Sequence, residues 1–386
     1  MRISRFILFI SIFTMLPLVI SAQERGDSVK NDSVKNRSFF KGLAHATLNV
    51  IKAFNDYDTA YIEPQHYNYA LMIQNTSTYE RYELDSKSGQ LIVLSPNLTN
   101  NVGPYFGWRW IFLGYTFDIK NISINTNNSV KKEFELSLYS SLFGIDFVYR
   151  RTGSDYKIRS INLGENINTN SLIGMPFKGI NVGITGINVY YIFNHHQFSY
   201  PAAFSQSTCQ KKSAGSLIGG ISYTKHTISL DHQNLQSMID DKLPSTVKLD
   251  SCLMFNKVEY VDVSVSLGYA YNYVFARNWL LSASLSPALA YKYSAGNLDE
   301  KYSGKEFSFR NFNFDLISRV GIVWNNITWY RGMSAIVHSY NYNKSQFSTS
   351  NLFGSINLYF GVNFDLRKNY QKTSKQRKTS IRKLYN

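Results

Sequence analysis

The chain is 386 residues long, with 28 Tyr, 26 Phe and 5 Trp against only 17% charged residues, and its formal net charge is +15. A charge of that size would suit a nucleic-acid binder, yet residues 367–386 alone hold eight cations (Arg367, Lys368, Lys372, Lys375, Arg377, Lys378, Arg382 and Lys383) and no acid, and Arg2 and Arg5 add two at the N-terminus. The remaining body is only mildly basic and has no nucleic-acid-binding motif, which argues against nucleic acid as a partner.

Residues 1–22 have the form of an export signal. Arg2 and Arg5 precede an apolar run from Phe6 to Ile20, broken by Ser11, Thr14 and Pro17, and Ser21 and Ala22 offer a cleavage point before Gln23. The run is short for a spanning helix, which needs roughly 20 residues. No cysteine stands at the cleavage point for lipid attachment. Residues 23–65 open as a polar leader with a near-repeat, Asp27-Ser28-Val29-Lys30-Asn31 and Asp32-Ser33-Val34-Lys35-Asn36. Phe40, Leu43, Thr47, Val50, Ile51 and Phe54 then recur at helical spacing. This short amphipathic helix carries few basic residues, so capping a barrel mouth suits it better than lying on a membrane surface.

From Tyr67 the period becomes two. Over 111–119, Ile111, Leu113, Tyr115, Phe117 and Ile119 oppose Phe112, Gly114, Thr116 and Asp118. Over 133–139, Phe134, Leu136 and Leu138 oppose Glu133, Glu135 and Ser137. Over 261–271, Val261, Val263, Val265, Leu267, Tyr269 and Tyr271 oppose Asp262, Ser264, Ser266, Gly268 and Ala270. Ser282, Ser284, Ser286, Ala288 and Ala290 alternate with apolar residues over 281–291, and the last strand sets Ile356, Leu358, Phe360, Val362 and Phe364 against Ser355, Asn357, Tyr359, Gly361 and Asn363. Alternation alone also fits a soluble sandwich. Two features favour a membrane barrel over residues 66–366. Several runs reach the roughly 9–11 residues that cross a bilayer on a tilt, and the apolar faces end in aromatics such as Trp108, Trp110, Tyr271, Trp279 and Tyr291, where interfacial girdles would lie.

The expected fold is therefore an all-β transmembrane antiparallel β-barrel of about 12 strands, in a range of roughly 10–14. Turns are expected at residues 85–89 and 125–128, and long loops or irregular insertions at 151–175 and 231–248. Residues 367–386 would form a basic periplasmic tail, either solvated or against anionic head groups.

The candidate chemistry is sparse. Asp231-His232, with Asp240 and Asp241 nearby, is an acid–histidine pair, but neighbours on a strand point to opposite faces and a base needs its orienting acid on one site. His338-Ser339 has the same defect, and no Gly-x-Ser-x-Gly elbow is present. His195, His196, His226 and Cys209 lack metal-site spacing. No catalytic, cofactor-binding or metal residue is assigned, and the chain is read as a non-enzyme. Cys209 and Cys252 either form a disulfide or remain thiols. The segment 198–216 interleaves Phe198, Tyr200 and Phe204 with Gln206, Gln210, Lys211 and Lys212. It either folds into the lumen, with its lysines favouring anions, or packs at the rim. Asp118, Glu133, Glu135, Asp146, Arg150, Asp262, Asp315 and Arg319 are candidate lumen charges whose mixed signs suit a paired, filled interior.

Two resemblances sharpen the expectation. Gly361, Phe364 and Leu366 are spaced as in the terminal β-signal read by the barrel-assembly machinery, which the last strand resembles. Residues 198–206, 210–216, 58–62 and 268–271 resemble an uncharacterised Bacteroidetes family known only as a domain of unknown function (DUF4421-like), over about 56–366. That resemblance implies an outer-membrane barrel and no established activity. The expected location is the outer membrane, in contact with its lipid and with the assembly machinery during insertion. A narrow, porin-like pore for a small solute or a structural envelope protein leads, with a barrel-embedded hydrolase or acyl transferase and a surface ligand-binding barrel as the alternatives.

Overall fold

The computed structural model describes residues 57–108, 111–114, 117–118, 132–151, 156–298, 306–343 and 347–371, all within the unit Ala53–Asn386. The expected helix at 40–54, the turn at 125–128 and the tail beyond 371 lie outside the described residues.

In chain order the strands are β1 (Ile62–Pro64), β2 (Tyr67–Ser86), β3 (Leu91–Pro96), β4 (Thr99–Trp108), β5 (Ile111–Gly114), β6 (Phe117–Asp118), β7 (Lys132–Tyr139), β8 (Phe143–Arg151) and β9 (Tyr156–Asn162). They continue as β10 (Ile180–Ile192), β11 (Thr208–Gln210), β12 (Ala214–Leu230), β13 (Phe255–Ala276), β14 (Trp279–Leu298), β15 (Glu306–Asn325), β16 (Trp329–Asn343) and β17 (Phe347–Leu366). Among the described residues two α-helices stand with them, α1 (Pro201–Phe204) and α2 (His232–Lys242). β1 and β11 form a separate two-stranded ribbon.

The other fifteen strands make one sheet. Its main path runs β5-β4-β2-β17-β16-β15-β14-β13-β12-β10-β8-β7, and β3, β6 and β9 join off it. The expectation of about twelve strands matches the path but falls short of the whole sheet. The excess has two sources. β6 continues β5 in one register along β4, with Tyr105 opposite Gly114 and Asn101 opposite Asp118. β3 and β9 pair with each other beyond the main path. The first and last long strands pair along nearly their whole length, from Leu366↔Tyr67 to Phe347↔Ser86. The two ends of the path, β5 and β7, bring Cα atoms within 8 Å of one another.

The polarity of this sheet is inverted relative to that of a water-soluble protein. Along β13 Val263, Val265, Leu267, Tyr269 and Tyr271 are exposed, whereas Asp262, Ser264, Ala270 and Asn272, which alternate with them, are buried. Leu267 is 61% exposed and Phe314 72%, while Ser282 and Asn272 are wholly covered. Isolated exposed apolar side chains need no explanation, but a continuous apolar wall marks a surface meant for an apolar neighbour. Aromatic pairs edge this wall near the chain-terminal end, where Trp329 stacks on Phe360 at 5.6 Å and Tyr69 on Phe364 at 5.7 Å.

Apolar clusters fill the inside of both ends. At the chain-terminal end lie Tyr139, Tyr190, Ile192, Phe198, Tyr200 and Ala270, beside a second group with Ala203, Leu280, Val323, Tyr330 and Tyr359. Small residues admit these rings: a side chain at Gly361 would overlap the ring of Tyr330, and one at Gly144 the ring of Tyr190. Gly361, expected as part of the terminal signal, thus also serves packing. At the far end a larger cluster includes Leu84, Ile92, Ile158, Phe177, Leu235, Ile239 and Phe255.

That far-end cap corrects two loop expectations. Within 151–175 the chain forms β9, and within 231–248 it forms α2. Asp231 caps α2, its Oδ1 accepting from the Asn234 backbone N–H at 2.9 Å. His232, Leu235 and Ile239 are the buried residues of that helix. The expected turn at 85–89 is present: the Ser86 N–H donates to the Gln90 carbonyl at 2.8 Å, and Gly89 takes φ +85°, which a side chain would disfavour.

Candidate functional site

Between the two apolar ends lies a layer of buried charge. Each member sits on the inward half of an alternating strand, so its direction follows from period two. Arg150 of β8 meets Glu80 of β2 at 3.2 Å, both 1% exposed. Glu80 also accepts from the Tyr156 hydroxyl at 3.2 Å, and the Arg150 guanidinium lies 5.6 Å from the Phe353 ring centre. Arg319 of β15 donates to Asp146 of β8 at 2.5 Å. Asp146 further accepts from Ser137 Oγ at 2.9 Å.

These pairs reveal the curl of the sheet. β15 and β8 are five steps apart along the ladder. At about 4.8 Å per step, a flat sheet would hold them about 24 Å apart. Direct contact between Arg319 and Asp146 requires the sheet to wrap round on itself.

The third group is Lys292 of β14. Its Nζ lies 2.7 Å from Asp315 Oδ1 and 3.2 Å from Asp262 Oδ2, and it donates to the Asn341 carbonyl at 3.1 Å. His226 of β12 stacks on Tyr260 at 4.5 Å and meets the edge of Tyr340 at 5.2 Å. Asn351 Nδ2 donates to the Tyr260 hydroxyl at 2.7 Å.

The segment between β10 and β12 turns inward. Phe198, Tyr200, Ala202 and Ala203 are buried. The Tyr200 hydroxyl shares a 2.8 Å hydrogen bond with Ser284 Oγ and accepts from Arg319 Nη1 at 3.3 Å. Asn272 Nδ2 donates to the Ser199 carbonyl at 2.7 Å, and Gln206 Nε2 to the Tyr359 hydroxyl at 2.8 Å. Of the two readings of 198–216, the inward one holds, but its lysines do not line the interior. Lys211 donates to the Thr59 carbonyl at 2.8 Å and pairs with Glu63 at 3.1 Å, and Lys212 lies over Tyr61. A cleft of about 450 Å³ at this end is bordered by Glu63, Ala202, Cys209, Lys211, Arg277 and Asn325.

Of the sequence candidates, Asp146, Arg150, Asp262, Asp315 and Arg319 converge inside, while the side chains of Asp118, Glu133 and Glu135 lie outside the description. Glu80, Lys292 and His226 were not singled out as interior groups. Lys292 was legible, because it simply extends the inward series Ser282, Ser284, Ser286, Ala288 and Ala290 by one more alternation. Asp231 serves as a helix cap, and Asp240 pairs with Lys248 at 3.1 Å. The His195 and His196 rings lie tilted against each other at 4.2 Å, whereas His226 stacks on Tyr260. His338 stacks on Phe353 at 4.9 Å. Cys209 and Cys252 are both free thiols. Burial pushes the Cys209 thiol up to about 12, leaving it a poor nucleophile. Among the described residues, no three His, Cys, Asp or Glu side chains gather as a metal site.

In comparisons with known proteins, the family described as Domain of unknown function (DUF4421) matches residues 56–364. No curated protein matches the chain in sequence. Among solved structures, the chain is similar to the outer membrane protease OmpT from Escherichia coli, with 8% identity, a TM-score of 0.35, and coverage of 80% of this chain and 100% of that one. It is also similar to the translocator domain of autotransporter NalP from Neisseria meningitidis, with 11% identity, a TM-score of 0.28, and coverage of 84% and 97%. The toluene transporter TodX of P. putida shows 7% identity, a TM-score of 0.22, and coverage of 78% and 91%. At such scores none of these likenesses lends the chain an activity.

Proposed function

We propose that this chain, which belongs to the DUF4421 family, is an outer-membrane β-barrel whose lumen is closed by its own side chains, a structural envelope protein and not an open pore. The observation that carries the reading is the inverted sheet. Apolar residues cover the outside and Ser, Asn and paired charges fill the inside, which suits lipid without and polar packing within. Lipid cannot satisfy an open strand edge, so a sheet in this setting closes. The nearness of β5 and β7 is compatible with that closure. No helix among the described residues is long and apolar enough to cross a membrane.

Occlusion rests on the contents of the barrel. Cross-lumen pairs such as Arg150–Glu80 and Arg319–Asp146 occupy the middle. The inward segment around Tyr200 fills the chain-terminal end, which would face the periplasm, and the cap of β3, β9 and α2 covers the other. A non-enzymatic role accords with this, since Asp231 is engaged as a cap and His232 is buried under it. The test is refolding into detergent and then into a planar bilayer. The folded protein should migrate differently on a denaturing gel before and after boiling, and should pass no stepwise current. Reproducible conductance steps would refute the closed lumen. Recovery as a soluble monomer that needs no detergent would refute the barrel.

A further inference from the structure

The interior charges are not evenly matched. Among the described residues, Glu80 pairs with Arg150 and Asp146 with Arg319, whereas Lys292 faces both Asp262 and Asp315. The side chains of Lys292, Asp262 and Asp315 are 0%, 1% and 2% exposed. Two carboxylates and one ammonium would leave a net negative charge sealed from water. A buried charge without a counterpart is strongly unfavourable, and such groups neutralise themselves instead.

The geometry of the oxygens points the same way. Asp262 Oδ1 and Asp315 Oδ2 are buried and have no hydrogen-bond partner. The two carboxyl groups are gathered on one ammonium, Lys292 Nζ standing 3.2 Å from Asp262 Oδ2 and 2.7 Å from Asp315 Oδ1. Two ionised carboxylates only accept, so neither can satisfy the other; one proton turns one of them into a donor. Two carboxyls sharing a site ordinarily cannot both ionise.

The surroundings offer no further cation among the described residues that pair with the site. Lys292 comes from β14, and its Nζ lies over the Tyr340 ring of β16 at 5.5 Å. The remaining titratable neighbours are Tyr260 of β13 and His226 of β12, which stack on one another. Both ring nitrogens of His226 are buried and without hydrogen bonds.

We propose that Asp262 and Asp315 share one proton, so that with Lys292 they form an electrically neutral proton-binding triad inside the sheet. The inference rests on the closed-lumen reading, because it needs a dry interior; the infrared band reports the proton and bilayer conductance reports the lumen, so the two fail separately. The triad would be a single-proton site assembled from three neighbouring strands, with the ammonium holding both acids in place.

The experiment is difference infrared spectroscopy of the full-length protein, refolded in detergent and verified by its gel shift. At neutral pH the wild type should show the carbonyl stretch of a protonated carboxylic acid. Isotopic labelling of aspartate should displace the band, which identifies the residue type without any substitution. Asp262→Asn and Asp315→Asn should each abolish it, because either change leaves one carboxylate opposite one ammonium. Absence of the band in labelled wild type, or its survival in either variant, would overturn the shared proton. Absence together with a stability that depends on added sodium would assign the missing charge to a cation instead.

Discussion

Replacing Arg150 by Met removes the guanidinium but keeps much of the side-chain bulk beside Phe353. Glu80 would then keep the Tyr156 hydroxyl at 3.2 Å and lose the Arg150 guanidinium, while remaining 1% exposed. Breaking one side of a buried ion pair costs about 3–5 kcal/mol, because the partner's charge is left behind. Replacing both members together is often near neutral. The expected result for Arg150→Met is a loss of about 3–5 kcal/mol, and for the double variant Glu80→Gln with Arg150→Met a recovery to within about 1 kcal/mol of wild type. Guanidinium unfolding of the detergent-folded protein, followed by tryptophan fluorescence, measures both. A single variant that costs less than about 1 kcal/mol, or a double variant worse than the single, would refute the claim that this pair is buried across the lumen.

Phe314, the most exposed of the outward apolar residues at 72%, should tolerate Arg poorly in lipid. A cost of about 2–4 kcal/mol is expected near the bilayer midplane, read from folding equilibria in vesicles, and a cost near zero would mean that this face does not meet hydrocarbon. Tyr200→Phe deletes the hydroxyl that joins Ser284 and Arg319. It should cost about 1 kcal/mol and speed proteolysis within 198–206, and unchanged cleavage there would count against an anchored segment. Asp250 accepts from the Cys252 backbone N–H, which holds its carboxyl down to about 2. An aspartate in the unfolded chain titrates near about 4, so this stabilisation is present above that value and lost as pH falls towards about 2. Hydrogen-exchange protection at 250–254, taken relative to the intrinsic rate at each pH, should therefore fall on acidification in wild type but not in Asp250→Asn, and equal acid sensitivity in both would remove the argument.

The parts legible in the sequence are those governed by a local period. β13, β14 and β17 announce themselves by alternation over more than ten residues, and the same alternation separates the inward Ser284 from the outward Leu285. The far-end cap was less legible for a physical reason. β3 offers only Leu91 to Leu94 before a proline, and β9 carries Ile158 and Ile161 three apart, a spacing that a register shift opposite β3 accommodates. The signal for α2 was present in Asp231 at its start, in Leu235 and Ile239 at helical spacing, and in Lys242 at its end. A mostly polar composition masked it. The pairings across the lumen were not legible at all. Asp146 and Arg319 are 173 positions apart, and no local pattern records which inward residues will face each other once the sheet wraps.

The register between β2 and β17 has a bearing on timing. Tyr67 is paired with Leu366 and Ser86 with Phe347, so the first long strand finds this partner only when almost the entire chain has been synthesised. Closing so large a loop has a high entropic cost and makes the final pairing slow. Until then β2 has one unmade edge, and the outward row of Leu71 and Ile73 has no lipid around it. An unpaired edge beside apolar residues is the arrangement that promotes aggregation. On the barrel reading, the seam joining beginning to end leaves the polypeptide unfinished on its way to the membrane until its last twenty strand residues arrive.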